Sequence, residues 1–500
     1  MSLKKRLVTG SIFVGVATII TSLISYLFRL FMVRNLSIAD YGLFYSMVSI
    51  FLFATTFVDF GRAPAFMKFG SEYLAKNKKG IVKFIINYYF KFKIKMSIIF
   101  ILLVILCSKF LAQHYFRVEE AFLLFIALGI VYTITDLFFN YLGALFMTFQ
   151  DQRLYSFYEV SKLSLQLLFL LVFFRAGFGI WGAVFAIFLG PLIASAIFYF
   201  AFYKRHFPDF FSIKTNKSSQ LIKKISIFAK LNLLYLLGTY ILNYTDTYML
   251  TYFTTLKEVG LYNIAVPASK LIIFFSTAIT LILMPLISAL FAKKQIALMN
   301  QLVNMVYKLS LFFILPLGIV MILFSNTALA LLFTQESVAA ATCLQLLTLS
   351  NFFAILFFIN MNIFNGIGRP KENTKCILAG TVLNIILNFI LIPRYGMNGA
   401  AFATLLSYIA MCILSFVYLK RGFRQLKIEL SHFLKLAAAN IIFFLSIIYL
   451  KKIFIIENPW LEGAVVLLIS GIVYLALVFI TKTFTIKEVK DILEMYKKKA

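Results

Sequence analysis

The sequence predicts an all-α polytopic membrane protein with fourteen transmembrane helices, and three observations carry that prediction. Hydrophobic residues fill 62% of the 500 positions, while Asp, Glu, Lys and Arg fill 13%, about half the share of a soluble domain. Mean hydropathy is +0.94. The apolar residues gather into stretches of about 20, the length that crosses the hydrocarbon core as a helix. Helices rather than open sheet follow, because backbone polar groups in lipid must be satisfied within the segment.

The expected helices cover residues 10–33, 41–58, 94–112, 120–147, 157–176, 180–203, 229–252, 260–290, 305–325, 338–363, 375–393, 398–419, 434–450 and 460–481. The first follows Met1-Ser-Leu-Lys-Lys-Arg and runs to Val33, too long for the apolar core of a secretory signal, so it reads as a span. The fourth and eighth are long. Pro267 and Pro285 give the eighth two places to kink.

The formal charge of +29 would suggest nucleic-acid binding in a soluble chain. Here the basic residues sit in short clusters between apolar stretches and read as topology signals. With the N-terminus inside, 37 of the 48 lie in inner segments, 8 in outer segments (Arg34, Lys109, Arg117, Arg175, Lys257, Arg394, Lys451, Lys452) and 3 within spans. That asymmetry predicts a multi-pass cell-membrane protein with both termini cytoplasmic and no nucleic-acid partner.

Several chemistries find no support. Cys107, Cys343, Cys376 and Cys412 are scattered, without a C-x-x-C pair or a disulfide framework. His114, His206 and His432 are isolated, so no metal site is expected. There is no P-loop, serine elbow or zinc motif. Gly366-Ile-Gly368-Arg-Pro-Lys lacks the third glycine of a dinucleotide loop. No cofactor is expected, and the chain reads as a transporter rather than an enzyme. The expected outer loops are short, which also disfavours a membrane-embedded glycan polymerase or ligase.

The two halves resemble each other. Tyr41-Gly-Leu-Phe-Tyr-Ser aligns with Val259-Gly-Leu-Tyr-Asn-Ile, setting Gly42 over Gly260 at an offset of 218. Gly179-Ile-Trp-Gly-Ala-Val-Phe-Ala aligns with Gly396-Met-Asn-Gly-Ala-Ala-Phe-Ala at an offset of 217. This duplication predicts a six-helix lobe over 1–203, a basic cytoplasmic linker at 204–228, a second six-helix lobe over 229–419, and a helix pair with a basic tail over 420–500. An even number of spans per lobe relates the halves by a pseudo-two-fold along the membrane normal, with a substrate path between them.

Polar residues within spans mark candidate sites. Asn232, Tyr235, Thr239, Asn243 and Asp246 share one helical face. Thr18, Ser22, Ser25 and Arg29 share another, and the offset of 218 sets Ser25 over Asn243 and Thr21 over Thr239. The hydroxyls read first as interhelical hydrogen bonds. Arg29 and Asp246 are assigned to a cavity, since charges within spans usually face one. Asp136, deep in the fourth span, requires a partner or water. Glu159 and Lys162 can pair with each other near the surface. Lys270 follows Pro267, where a broken helix could expose carbonyls. Asn384 and Asn388 read as packing contacts.

These residues, with Asp40-Tyr-Gly-Leu-Phe, Asp59-Phe-Gly-Arg-Ala-Pro-Ala, Asn365-Gly-Ile-Gly-Arg-Pro and Ile392-Pro-Arg-Tyr-Gly-Met-Asn-Gly-Ala-Ala-Phe-Ala-Thr, resemble the polysaccharide transporter family. That family belongs to the multidrug/oligosaccharidyl-lipid/polysaccharide exporter superfamily and includes O-antigen flippases of lipopolysaccharide assembly. The resemblance implies a two-lobed flippase. It would move a polyprenyl-diphosphate-linked oligosaccharide to the outer leaflet by alternating access of a cationic cavity. Arg29 and Lys270 would meet the diphosphate, Ser25, Tyr235, Thr239 and Asn243 the sugar, and Asp136 or Asp246 a coupling ion. It also implies membrane lipid and a lipid-linked glycan as partners, with a polymerase or glycosyltransferases of the same pathway nearby. A lipid II-type flippase and a drug/cation antiporter are the alternatives within the superfamily. The former usually carries more arginines in its first span, and the latter usually has twelve spans and acidic cavity residues.

Overall fold

The computed structural model describes residues 3–216, 218–273, 283–423, 425–426, 430–455, 458–481 and 483. No strand occurs among them. The protein is an all-α multi-pass membrane protein. Eleven described helices are long and apolar enough to cross a bilayer. One of them, α15 (Pro370–Gly422), breaks at Gly396 (φ 53°, ψ −133°) into two segments. The expected seventh span falls on α9 (Ser219–Phe253), and the eighth on α10 (Leu256–Ser269) and α11 (Leu283–Ala292), with 274–282 outside the described residues. The termini, read as cytoplasmic, include residues 1–2 and 484–500, which also lie outside them.

The chain forms two compact units, Met1–Ile264 and Ala265–Ala500. This packing boundary falls later than the linker expected at 204–228, because α9 packs on α2 (Ile38–Asp59) and α3 (Arg62–Ala75). The sequence lobes describe a duplication, which is a separate property from compactness.

The first unit also contains α1 (Leu3–Asn35), α4 (Lys79–Phe110), α5 (Ala121–Ile134), α6 (Tyr141–Thr148), α7 (Gln152–Arg175), α8 (Gly179–His206) and most of α10. Starts are set by capping: the Ser37 hydroxyl accepts from the Asp40 amide (3.0 Å), and Asp151 accepts from the Leu154 amide (3.1 Å). Ile98, Leu102 and Leu106 of α4 are exposed along one stripe, as a lipid-facing surface requires.

Helix irregularities have identifiable partners. Pro267 has no amide hydrogen to give the Asn263 carbonyl, and the Tyr41 hydroxyl donates to that carbonyl instead (3.4 Å). Between α5 and α6, residues Thr135–Asn140 form one π-helical turn. Its loosened carbonyls accept from other side chains: Asp136 from Lys93 (2.7 Å), Phe138 from Tyr199 (2.7 Å) and Phe139 from Tyr158 (3.0 Å).

The second unit holds α12 (Ile296–Leu323), α13 (Ser325–Leu332), α14 (Ala341–Gly366), α15, α16 (Leu430–Ile453) and α17 (Pro459–Ile480). The same device recurs: Pro316 frees the Phe312 carbonyl, and the Tyr474 hydroxyl donates to it (2.9 Å). Tyr307 donates to Asn360, whose amide donates to Ser415 (2.7 Å), deep in the core. Asn384 donates to Thr404 (3.3 Å) and Asn388 to Asn384 (3.0 Å).

The aligned glycines do matching work in each unit. Gly179 (φ 50°) and Gly396 (φ 53°) both adopt the left-handed backbone that glycine tolerates. Three residues on, Gly182 and Gly399 both lie against preceding chain: a Cβ there would fall 3.0 Å from Phe173 and 2.4 Å from the Leu391 carbonyl oxygen.

Candidate functional site

The site in the first unit is built around Arg29. It stands on α1 among the side chains of α2, α5, α7 and α8. The guanidinium lies over the Tyr45 ring at 4.2 Å, a cation–π contact, with Tyr41 and Tyr244 as further polar neighbours. No carboxylate pairs with it among the described residues. It opens on a cavity of about 180 Å³ whose polar lining is Ser25, Arg29, Tyr45, Tyr132 and Gln166. The rest of the wall is apolar, chiefly Phe28, Phe44, Val48, Leu163 and Ile187. A half-buried cation among hydroxyl and amide groups can hold a small anion such as a phosphate.

The structure brings Ser25 and Arg29 to one cavity, as the helical spacing expects. Gln166 joins them, while Glu159 and Lys162 pair with each other at 2.8 Å. Asn243 is exposed on α9. Asp246 is buried and accepts from the Tyr262 hydroxyl (2.5 Å). The side chains of Tyr235 and Thr239 lie outside the described residues. Lys270 is exposed at the turn where α10 ends after Pro267, in the second unit.

Asp136 has a built-in counter-ion. Lys93 Nζ lies 2.9 Å from its Oδ2 and donates to its backbone carbonyl, and the two side chains are only 2% and 12% exposed. Asn140 donates to Oδ1 at 3.4 Å. One turn before Lys93 on α4, the Tyr89 hydroxyl donates to Asp59 at the end of α2, which also accepts from the Ala63 amide. Sequence reasoning grouped Lys93 with the cytoplasmic cluster, because the third span was expected to begin at 94. It begins at Lys79, and the signal was the four-residue spacing of Tyr89, Lys93 and Ser97, all buried. The ladder Tyr240–Tyr244–Tyr248 on α9 was also missed. Tyr240 and Tyr244 stack at 5.9 Å, and Tyr248 lies tilted 6.3 Å from Tyr244.

The α2–α9–α10 contact lies at the end of the unit opposite the α8–α9 loop along these helices. Gly42 and Gly260, matched by the repeat, meet each other there. A Cβ on Gly42 would fall 1.9 Å from the Leu256 carbonyl oxygen, and one on Gly260 2.1 Å from that of Ile38. Ser46 and Thr251 share a hydrogen bond (2.7 Å), and Tyr248 donates to the Ser49 carbonyl (2.9 Å). No group of three or more metal-ligating side chains occurs among the described residues.

Comparisons with known proteins agree with this architecture. The family described as polysaccharide biosynthesis protein matches residues 7–291, and MatE matches residues 233–390. An uncharacterized membrane protein of Methanocaldococcus jannaschii is 27% identical over 99% of each chain. A probable low-salt glycan biosynthesis flippase of Haloferax volcanii is 24% identical over 41% of this chain and 43% of its own. The inward closed structure of the lipid II flippase MurJ covers 94% of this chain and 98% of its own, with a TM-score of 0.75 at 16% identity, which establishes a shared fold. With more than half of its length matched by the family model, the chain belongs to the family described as polysaccharide biosynthesis protein.

Proposed function

We propose that this protein is a flippase for a lipid-linked glycan, moving a polyprenyl-diphosphate-linked oligosaccharide from the cytoplasmic to the outer leaflet of the cell membrane. The observation that carries the reading is Arg29: a cation inside the span region, without a carboxylate among the described residues, facing a cavity lined by hydroxyl and amide groups. At about 180 Å³ that cavity suits a phosphate and not a glycan, so Arg29 is an anion subsite within a larger path. The flippase of Haloferax volcanii, named for glycan biosynthesis, supports the same class of cargo.

A sugar head cannot enter hydrocarbon without replacement of its hydrogen bonds, at several kcal/mol for each unsatisfied group. In this reading Ser25, Gln166, Tyr132 and the polar face of α9 (Tyr235, Thr239, Asn243) replace them, while the prenyl tail stays in lipid. Lys270 is a further cationic candidate for the diphosphate, independent of the Arg29 subsite. An inside-negative potential favours outward movement of negative charge by about 2.3 kcal/mol per charge per 100 mV. Asp246 is the better candidate for ion coupling, because Lys93 already meets the charge of Asp136. A polymerase or glycosyltransferases of the same pathway would supply and consume the cargo. A cation exporter would need a carboxylate where Arg29 stands.

The test is transbilayer movement of a fluorescent polyprenyl-diphosphate oligosaccharide in proteoliposomes. The parent protein should move it, and Arg29→Ala and Lys270→Ala should each lower the initial rate at least tenfold. Unchanged rates in both variants would overturn the assignment of these residues. No movement by the parent, with any polyprenyl-diphosphate glycan, would overturn the flippase reading. Rates unaffected by collapsing the ion gradients and the potential would remove ion coupling.

A further inference from the structure

Adjacent phenylalanines in the segment between α8 and α9 face opposite ways. Phe210 is 8% exposed and packs with Phe207 and Tyr203, whereas Phe211 is 85% exposed. The segment holding them is not loose. Lys83 Nζ donates to the Phe211 and Ile213 carbonyls at 3.3 and 2.9 Å. The Asn216 amide donates to the Gly80 carbonyl at 3.3 Å, and Lys79 pairs with Asp209 at 3.4 Å. Gly80 is required for this docking, because a Cβ there would lie 2.8 Å from the Lys214 carbonyl oxygen. A braced loop therefore holds a large apolar ring outward, at an exposure a soluble surface rarely gives a phenylalanine.

The position of the ring says what covers it. Phe211 follows a membrane-spanning helix whose last turn is Lys204-Arg205-His206, so it stands at the level where hydrocarbon gives way to headgroups. Beside the loop lies a recess of about 600 Å³ whose polar lining is Asn77, Lys78, Lys79, Asp209 and Asn216, with Ile81 and Ile213 as its apolar wall. That volume lies within the range of small-molecule sites. Lys78 and Lys79 outweigh the single acid of the recess, Asp209, and Lys204 at the end of α8 and Lys214 in the loop add further positive charge.

We propose that residues 207–216 and this recess form a binding site for an anionic phospholipid of the bilayer, with Phe211 among the upper acyl carbons and the lipid phosphate at Lys78 and Lys79. An aromatic anchor beside basic side chains is the chemistry that holds a segment at an anionic interface. The site is separate from the Arg29 cavity, and its occupancy does not require transport.

The experiment places Phe211→Trp in the full-length protein with Trp181→Phe and Trp460→Phe, so that one indole reports. The protein is reconstituted into phosphatidylcholine vesicles with and without phosphatidylglycerol. Lipids brominated near the top of the acyl chain should remove at least half the emission, and aqueous acrylamide should remove little. Phosphatidylglycerol should strengthen the acyl-chain quenching, and Lys78→Ala/Lys79→Ala should abolish that lipid preference. Strong acrylamide quenching without bromolipid quenching would overturn the proposal by placing the ring in water. Protection from both quenchers would also overturn it, by showing that a protein surface, such as a second copy, covers Phe211. Quenching equal in both lipid compositions would overturn the anionic specificity.

Discussion

Lys93 and Arg29 are cations within membrane helices of the same unit, yet their surroundings differ. Lys93 is closed off: its ammonium meets Asp136 at 2.9 Å, and the pair is almost fully buried. Arg29 is half-buried, stacked on Tyr45, and faces a cavity without a carboxylate among the described residues. An ion pair in low dielectric satisfies itself and leaves little for a ligand. A cation held by aromatic faces keeps its hydrogen-bond donors available. The difference fits a structural role for the first and the anion-binding role proposed for the second.

Four substitutions would break or sharpen this contrast. Lys93→Met should have the largest effect on stability, about 3–5 kcal/mol, because it strands the Asp136 charge in the interior. Unfolding in detergent should show most of that loss recovered in Lys93→Met/Asp136→Asn. Failure of the double variant to recover would mean that Lys93 acts mainly through its bond to the Asp136 carbonyl. Gly42→Ala should follow at about 1–3 kcal/mol, the cost of overpacking, since its Cβ would meet the Leu256 carbonyl oxygen. Gly15→Ala, with nothing within 4 Å of the new Cβ, is its control in the same assay.

Arg29→Gln should cost the cation–π contact with Tyr45 and the hydrogen bond to Tyr41, about 0.5–2 kcal/mol, while abolishing glycan movement. Loss of stability equal to that of Lys93→Met would erase the distinction between the two sites. The smallest effect belongs to Lys76→Ala. Lys76 and Glu72 pair at 2.6 Å on an exposed face of α3, and the hydrogen bond from Lys76 holds the Glu72 carboxyl below its ordinary range. Whatever the pair contributes is present above the ordinary carboxylate pKa and is lost as pH falls through the lowered one. Titration of Glu72 by NMR should move up in the variant, with the unfolding midpoint unchanged within error.

Much of this was legible in the residues. Apolar stretches identified the membrane class, and helical spacing put Ser25 and Arg29 on one face before any packing was known. The internal repeat picked out Gly42 with Gly260 and Gly179 with Gly396, and each pair has a shared structural role. The π-helical turn at 135–140, the reach of Tyr41 and Tyr474 to carbonyls freed by proline, and the partnership of Lys93 with Asp136 were not legible. The turn's carbonyls, the freed carbonyls and Asp136 all take partners from elsewhere in the chain, and no local period encodes such a meeting.

Hydropathy, charge asymmetry and duplication by themselves determined a helical membrane protein built of repeated parts, because lipid leaves a chain few ways to satisfy its backbone. Tertiary structure alone decided which intramembrane charges are neutralised and which stay available. That outcome depends on what each side chain meets across helices, and on the low dielectric that makes a partner at 2.9 Å so different from none.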